Sequence, residues 1–493
     1  MKLRLLPILI VSCLTVSSCF DDLNVSQPSQ ITSVGMWHEE SDATGAVNGM
    51  YSLFRGAFSE FLNVYGELRT NLYKSGPVND AFYNNIGKNE IVYSYTGCNW
   101  SSIYQVINSA NLIIKHAPSV SYRTEEAKNE VLANAYFIRA FCYYELVRVF
   151  GDCPLLTQGI ESDGQDDMYP YREKASLVYD QVESDILSAE ELMPASSKSL
   201  HKASPAAIKM LKTDFYLWKA KRLGGGPSAL QTAQSAINSV LSAGYSLTNS
   251  FADAFTKEGA SSPESIWTIP YINNENVFAG KYPNTFSIYL APAAEASGTL
   301  KDYQDIIICG SHAMYIIITP DYYDFLASDS KDTRTAVSAR DFRDNAYLSG
   351  LHYETEIVKF AGTVVNGTRI FDHDVPMYRL AEAYLLKAEV ENALGNASEA
   401  VRALNVVAKR AYKVDNYYAL TGKDEIDEAI IDESLKEFVA ESKAWWVILR
   451  MNKEFSRIST LVGRQGELNV TLWPVAQACI NSNPNITQTE GYR

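Results

Sequence analysis

Two segments of this 493-residue chain set aromatic rings beside amide and carboxylate side chains at close spacing: Tyr73 to Asn85 (YKSGPVNDAFYNN) and Asn273 to Tyr289 (NNENVFAGKYPNTFSIY). Rings offer flat apolar faces, and Asn or Asp offers hydrogen-bond donors and acceptors. That combination suits a sugar, which presents an apolar C–H face and a ring of hydroxyls. The candidate binding residues are Tyr73, Asn79, Asp80 and Tyr83 in the first segment and Tyr282, Asn284 and Tyr289 in the second. Core packing is the competing use of rings in a chain with 31 Tyr and 7 Trp. Trp37, Trp100, Trp218, Trp267, Trp445 and Trp446 lie in or beside expected helices or strands, and most read as core.

Motifs for catalysis are not found. The chain has no HExxH, GxSxG, paired CxxC, phosphate loop or GxGxxG fingerprint. Its six histidines are scattered, and His312 and His373, beside acidic or polar neighbours, read as surface or satisfied residues. The 58 acidic residues define no glycosidase pair, because the separation such a pair needs is a distance in space. No enzyme, cofactor or metal is expected. The acidic stretch Asp163 to Asp167 lacks the spacing of a calcium-binding EF-hand loop. Gly224-Gly225-Gly226-Pro227 lacks the Lys and Ser/Thr of a phosphate loop and reads as a turn between helices. A net charge of −15 and a pI near 5.0 argue against nucleic acid, whose phosphates need clustered Lys and Arg.

The first residues determine the expected compartment. Lys2 and Arg4 precede an apolar run from Leu5 to Val16, and Val16-Ser17-Ser18 then leads into Cys19. This reads as a lipoprotein signal over residues 1–18, with Cys19 lipidated and its acyl chains anchoring the protein to a membrane. The apolar run is too short to span a bilayer. Five cysteines remain after the signal and Cys19: Cys98, Cys142, Cys153, Cys309 and Cys479. Their spacing gives neither a disulfide framework nor a zinc site, and buried free thiols are expected.

The elements that must position these residues are mostly helical. Periodicity predicts helices at about 40–58, 101–117, 124–150, 172–193, 204–222, 228–242, 376–394, 397–412 and 425–455, with short strands at Ile306 to Ile308 and Tyr315 to Ile318. Met377, Leu380, Ala381, Tyr384, Leu385 and Ala388 fall three and four apart. Gly395 then stops that helix, and Asn396 or Ser398 can cap a second one burying Ala400, Val401, Leu404, Val407, Ala408 and Ala411. Such a hairpin has the packing logic of a tetratricopeptide unit, which needs neighbours to bury its apolar face.

That hairpin, VPMYRLAEAYLLKAEVENALGNASEAVRALNVVAKRA, resembles the signature of the SusD/RagB family of outer-membrane nutrient-binding lipoproteins in Bacteroidetes. Glu433 to Arg450 (ESLKEFVAESKAWWVILR) is similar to the family's Glu-rich helix, although Val447, Ile448 and Leu449 stand where an Asp is usual. The tail WPVAQACINSNPNITQTEGY, Ala135 to Leu155 (AYFIRAFCYYELVRVFGDCPL), Ala243 to Leu247 (AGYSL), Glu264 to Trp267 (ESIW) and Asp332 to Arg334 (DTR) resemble the family in order and spacing. Asp21 and Asp22 resemble the acidic tag that sends such lipoproteins to the cell exterior.

The resemblance implies a mostly α, SusD-like fold: about four tetratricopeptide-like helix pairs packed against a loop-rich mixed region with short strands. A single domain over 19–493 is expected, with the scaffold at about 40–245 and 376–455 and the ligand region at about 60–100 and 245–375. It also implies non-catalytic capture of a glycan and its delivery to a SusC-type TonB-dependent transporter. A RagB-like peptide receptor and a scaffold that only binds protein partners are the alternatives.

Overall fold

The structure, a computed structural model, describes residues 36–76, 79–162, 164–165, 168–255, 262–271, 316–344, 354–360, 363–365, 368–370 and 372–492. Helices are α1 (Glu40–Gly66), α2 (Ala81–Gly87), α3 (Ser101–His116), α4 (Glu125–Phe150), α5 (Ala175–Leu192), α6 (Pro205–Arg222), α7 (Gly226–Leu241), α8 (Pro320–Leu326), α9 (Leu380–Ala393), α10 (Ala397–Tyr412), α11 (Lys423–Glu437) and α12 (Ala444–Arg450). Local signals place their ends. Thr124 and Ser204 cap α4 and α6 by accepting from the backbone three residues on, and Pro205 opens α6. Gly224 and Gly226, at φ 74° and 58°, turn the chain from α6 into α7, and Gly395 at φ 85° turns it from α9 into α10.

Four pairs result: α1 with α3, α4 with α5, α6 with α7, and α9 with α10. They join into one stack because α3 packs on α4, α5 on α6 and α7 on α9. The chain therefore leaves the stack after α7 and rejoins it at α9, directly against α7. No helix among the described residues is long and apolar enough to cross a membrane.

The strands form two-stranded antiparallel ribbons: β1 (Tyr73–Ser75) with β3 (Ile316–Ile318), β2 (Ser265–Ile269) with β8 (Val375–Arg379), β4 (Ala339–Asp341) with β5 (Thr355–Ile357), and β6 (Thr363–Val365) with β7 (Thr368–Ile370). Ribbons this small are marginal alone, so they depend on the helical stack for their stability. Trp100, Trp218, Trp267, Trp445, Trp446 and Trp473 are buried, whereas Trp37 is half-buried and stacks on His116 at 5.2 Å. Cys98, Cys142, Cys153 and Cys479 are buried free thiols, and Cys309 lies outside the described residues.

Three expectations about elements need correction. The segment expected to be helical from 376 begins as β8, because its backbone pairs with β2 and the helix starts only at Leu380. Met377 thus belongs to a strand. The single helix expected over 425–455 is broken between α11 and α12, where Ala440 and Ser442 adopt φ 59° and 64°. There the backbone carbonyls of Glu437 and Val439 accept from Lys359 Nζ at 2.9 and 3.2 Å instead of continuing a helix. The turn also meets the end of α1, where a Cβ on Gly66 would overlap the Ser442 carbonyl. Tyr73, expected on a loop, is in β1.

Buried charges hold this junction together. Glu437 takes Arg379 at 2.6 Å, Arg334 at 3.1 Å and Arg410. Arg334 also binds Glu433 at 2.6 Å and Asp332 at 2.8 Å, Arg410 binds Glu264 at 2.7 Å, and Glu441 binds Arg379 at 2.7 Å and Lys359. A second group joins Arg450 to Glu389 at 2.8 Å and Asp214 at 2.6 Å, with Arg148 and Lys221 completing it. Burial by itself would raise the Glu437 and Glu389 carboxyls. The cations outweigh it: Arg410, Arg379 and Arg334 hold Glu437 well below the usual range, and Arg450 and Lys221 hold Glu389 at about 2.

Glu67 is the opposite case. Fully buried at the end of α1, it is pushed up to about 8 by desolvation, which outweighs the backbone N–H of Lys443 and Ser442. It is therefore protonated at neutral pH.

The two kinds of carboxyl predict opposite pH effects. A depressed pKa contributes stability that is present above the unfolded value near 4.5 and is lost as pH falls through about 2. A raised pKa contributes most below 4.5 and loses its contribution as pH rises through about 8. Glu437→Gln should cost about 3–5 kcal/mol in urea unfolding at pH 7, since it removes the one buried carboxylate that Arg334, Arg379 and Arg410 share and leaves their charges less well compensated. Glu67→Gln should be near neutral at about pH 4, where both states hold the proton, and should gain on wild type as pH rises, flattening the decline in stability between about pH 5 and 8. Equal losses in both variants would contradict these assignments.

Candidate functional site

The first aromatic segment is built up from β1. Pairing with β3 sets Tyr73 opposite Ile318 and Ser75 opposite Ile316. Alternation along β1 buries Tyr73 and Ser75 and leaves Lys74 half-exposed, where it pairs with Glu354 at 2.5 Å. Tyr73 is 1% exposed, its hydroxyl accepts from Ala440 N at 3.0 Å, and its ring meets Tyr322 edge-on at 5.7 Å. As a candidate ligand contact Tyr73 is thus corrected: it is a core residue tying the rim to the turn between α11 and α12.

Beyond Ser75 the polar candidates shape the loop. Asp80 N donates to Ser75 Oγ at 2.7 Å, and Asp80 Oδ1 caps α2 by accepting from Phe82 N at 2.8 Å. Asn79 is exposed in the left-handed region at φ 49°, and its side-chain oxygen accepts from Asn84 Nδ2 at 2.9 Å. Asn84 in turn accepts from Ser75 N at 3.3 Å. The far foot is equally fixed, because buried Arg69 donates to Asn89 Oδ1 at 2.7 Å while stacking on Trp445 at 4.4 Å.

Rings gather on this frame. Phe82 lies edge-on to Tyr83 at 4.8 Å and to Tyr95 at 5.1 Å, and all three are half-buried. Tyr95 accepts from Asn85 Nδ2 at 2.6 Å, and Tyr93 is 39% exposed nearby in sequence. The structure therefore brings Asn79, Asp80 and Tyr83 together and adds Phe82, Asn85 and Tyr95. The sequence signal for Tyr95 was the alternation Tyr93-Ser94-Tyr95, which lies just past the segment singled out. Such a ring cluster with flanking amides offers apolar planes and directional polar groups within one surface.

Tyr282, Asn284 and Tyr289 lie outside the described residues, as do Cys19, His312 and most of the Asp163 to Asp167 stretch. The strands that bracket the second segment are described. The described chain stops at Tyr271 and resumes at Ile316, which pairs with Ser75, the residue from which the first loop departs. His373 is buried, as the sequence reading allowed. The cleft between α4, α6, α9 and α12, around Glu145, Asp214 and Glu389, has room for only about 50 Å³, enough for water and too small for a sugar.

Known proteins share this architecture. A family model described as starch-binding and associating with the outer membrane matches residues 47–217, and the SusD family model matches residues 263–492. The chain is similar to SusD-like protein P38 of Formosa agariphila, 25% identical over 516 residues that cover 98% of each chain. It is 28% identical to the starch-binding protein SusD of Bacteroides thetaiotaomicron over 158 residues, 30% of this chain and 27% of that one. A SusD superfamily crystal structure from Bacteroides fragilis superposes with a TM-score of 0.79 at 24% identity, covering 93% of this chain and 100% of that one. A laminarin-binding SusD-like protein superposes with a TM-score of 0.73 at 20% identity, covering 92% and 100%. At these identities the structural likeness is one of fold. With two family models matching both halves of the helical stack, the chain belongs to the SusD/RagB family of glycan-binding, outer-membrane-associated proteins.

Proposed function

We propose that this protein is a non-catalytic, single-domain glycan receptor held by lipid at Cys19 on the outer face of the outer membrane. It captures oligo- or polysaccharide on the rim around Tyr83 and passes it to a SusC-type TonB-dependent transporter. One observation carries this reading. The half-buried rings of Phe82, Tyr83 and Tyr95 stand beside Asn79, Asp80 and Asn85 on a loop pinned at both feet to the scaffold. Pre-organisation of this kind lowers the ordering cost of binding a flexible chain. Relatives named for starch and laminarin make neutral glucans the first probes.

Affinity electrophoresis against a polysaccharide panel, with peptide pools as a competing arm, tests the reading. Wild-type protein should be retarded by at least one glycan, and Tyr83→Ala or Tyr282→Ala should abolish that retardation with the melting temperature unchanged. Loss of one stacking ring corresponds to about 0.5–1.5 kcal/mol, up to roughly tenfold in affinity. Unchanged migration of both variants would reject the rim, and competition by peptides alone would move the protein to the peptide-binding class.

A positioning role for Asp80 has its own signature. Asparagine caps helices as well as aspartate does, whereas alanine does not. Asp80→Ala should therefore speed hydrogen exchange of the amides from 79 to 84, and Asp80→Asn should leave them protected.

A further inference from the structure

A second cleft, of about 260 Å³, lies away from the Tyr83 rim, between α1, the turn ahead of α6 and the end of β2. Asn48, Ser52 and Arg55 line one wall. They recur four and three residues apart and so share one face of α1. His201 and Lys202 line the cleft from the turn ahead of α6, and buried Phe54 and Trp267 line it as well.

The charge of this cleft is unusual in a chain with net charge −15. The arginines of the two buried ionic groups are paired with carboxylates, as at Glu437 and Glu389, and buried Arg69 donates to Asn89 and to three backbone carbonyls. Arg55 has a different partner: Nη1 donates to the Pro270 carbonyl at 3.2 Å, using one of its five donors. No ion pair to Arg55 or Lys202 is present among the described residues. Asp374, next to the cleft, is already engaged: it accepts from Thr268 Oγ1 at 2.9 Å and lies 3.5 Å from His201 Nδ1.

The walls are rigid. Thr268 N donates to the Leu200 carbonyl at 2.8 Å, Lys202 N to Ser199 Oγ at 3.0 Å, and Ala203 N to the Tyr51 hydroxyl at 2.7 Å. These bonds fasten the turn that carries His201 and Lys202 to both β2 and α1.

We propose that this cleft is an anion subsite that takes the carboxylate or sulfate group of an acidic sugar residue. Arg55 from α1 and Lys202 from the turn ahead of α6 supply charge-assisted hydrogen bonds, and Asn48 and Ser52 meet the ring hydroxyls. The volume is at the small end for ligand clefts and fits a single sugar unit. Net negative charge repels a polyanion at a distance, so recognition falls to these local cations at contact. The inference rests on the glycan reading for the kind of molecule that bears the anion.

Titration calorimetry at low ionic strength, with trigalacturonate, a sulfated galactose disaccharide that has no uronic acid (neocarrabiose sulfate) and neutral maltotriose as probes, tests it. One of the two anionic probes should bind, and which one binds distinguishes carboxylate from sulfate as the ligand group. Arg55→Gln and Lys202→Gln should each weaken that binding about tenfold at unchanged melting temperature, with Arg55→Lys recovering part of the loss. Binding of neither anion, or anion binding that survives both Gln variants, would overturn the subsite. Maltotriose binding that is lost in Tyr83→Ala while neither anion binds would overturn the subsite and leave the receptor reading intact. Anion binding through the cleft with no neutral glycan bound would support the subsite and count against the Tyr83 rim.

Discussion

Everything in this molecule is arranged around a carboxylate that cannot leave its arginines. Glu437, fully buried at the end of α11, is reached by Arg334, Arg379 and Arg410 from three other segments of the chain. Desolvating such a group is expensive, and only several partners in good geometry offset that cost. The requirement acts as a constraint on assembly. Strand β8, helix α10 and the 332–334 turn must all be in place before Glu437 is satisfied, and Glu264 ahead of β2 joins the same cluster through Arg410. A break in the helical stack filled by more than a hundred residues is thereby closed at the point where the stack resumes.

The same junction gives the aromatic rim its footing. Because α11 ends at Glu437, the next residues turn through left-handed conformations and expose backbone groups that other elements use. Ala440 N donates to the Tyr73 hydroxyl, and Lys443 N donates to the protonated Glu67. The Tyr322 hydroxyl donates to the Leu435 carbonyl at 2.7 Å, so α8 approaches from the side that carries β3. Strands β1 and β3 are thus held against the ionic cluster, and the loops that leave them inherit that rigidity. The acidic and basic residues of the core act as positioning groups for the rim above them.

This division explains why the most recognisable motifs are structural. Glu264 of ESIW, Asp332 and Arg334 of DTR, Arg379 of the hairpin strand, and Glu433, Glu437 and Glu441 of the Glu-rich helix lie in one buried network. Glu145 and Arg148 from the long helix, with Arg450, lie in the second. The tail closes over α4 through Trp473 N, which donates to the Val149 carbonyl at 2.8 Å. None of these strings contributes a side chain to the Tyr83 rim, so they identify the fold and say little of what it binds.

From the sequence alone, helix periods, the glycine turns at Gly224 to Gly226 and Gly395, and the burial of most tryptophans were legible, because each depends on residues within a few turns of one another. The fates of Tyr73 and Tyr83 were not. Ten residues apart in one polar, aromatic segment, the first is core and the second rim, and what separates them is pairing with a strand more than two hundred residues away. The break after α11 was hidden for a similar reason, since Lys359 and Gly66 act on it from remote parts of the chain. Short-range stereochemistry determined the elements, whereas long-range pairing and the desolvation of charge, which exist only after folding, decided which side chains are core and which reach the surface.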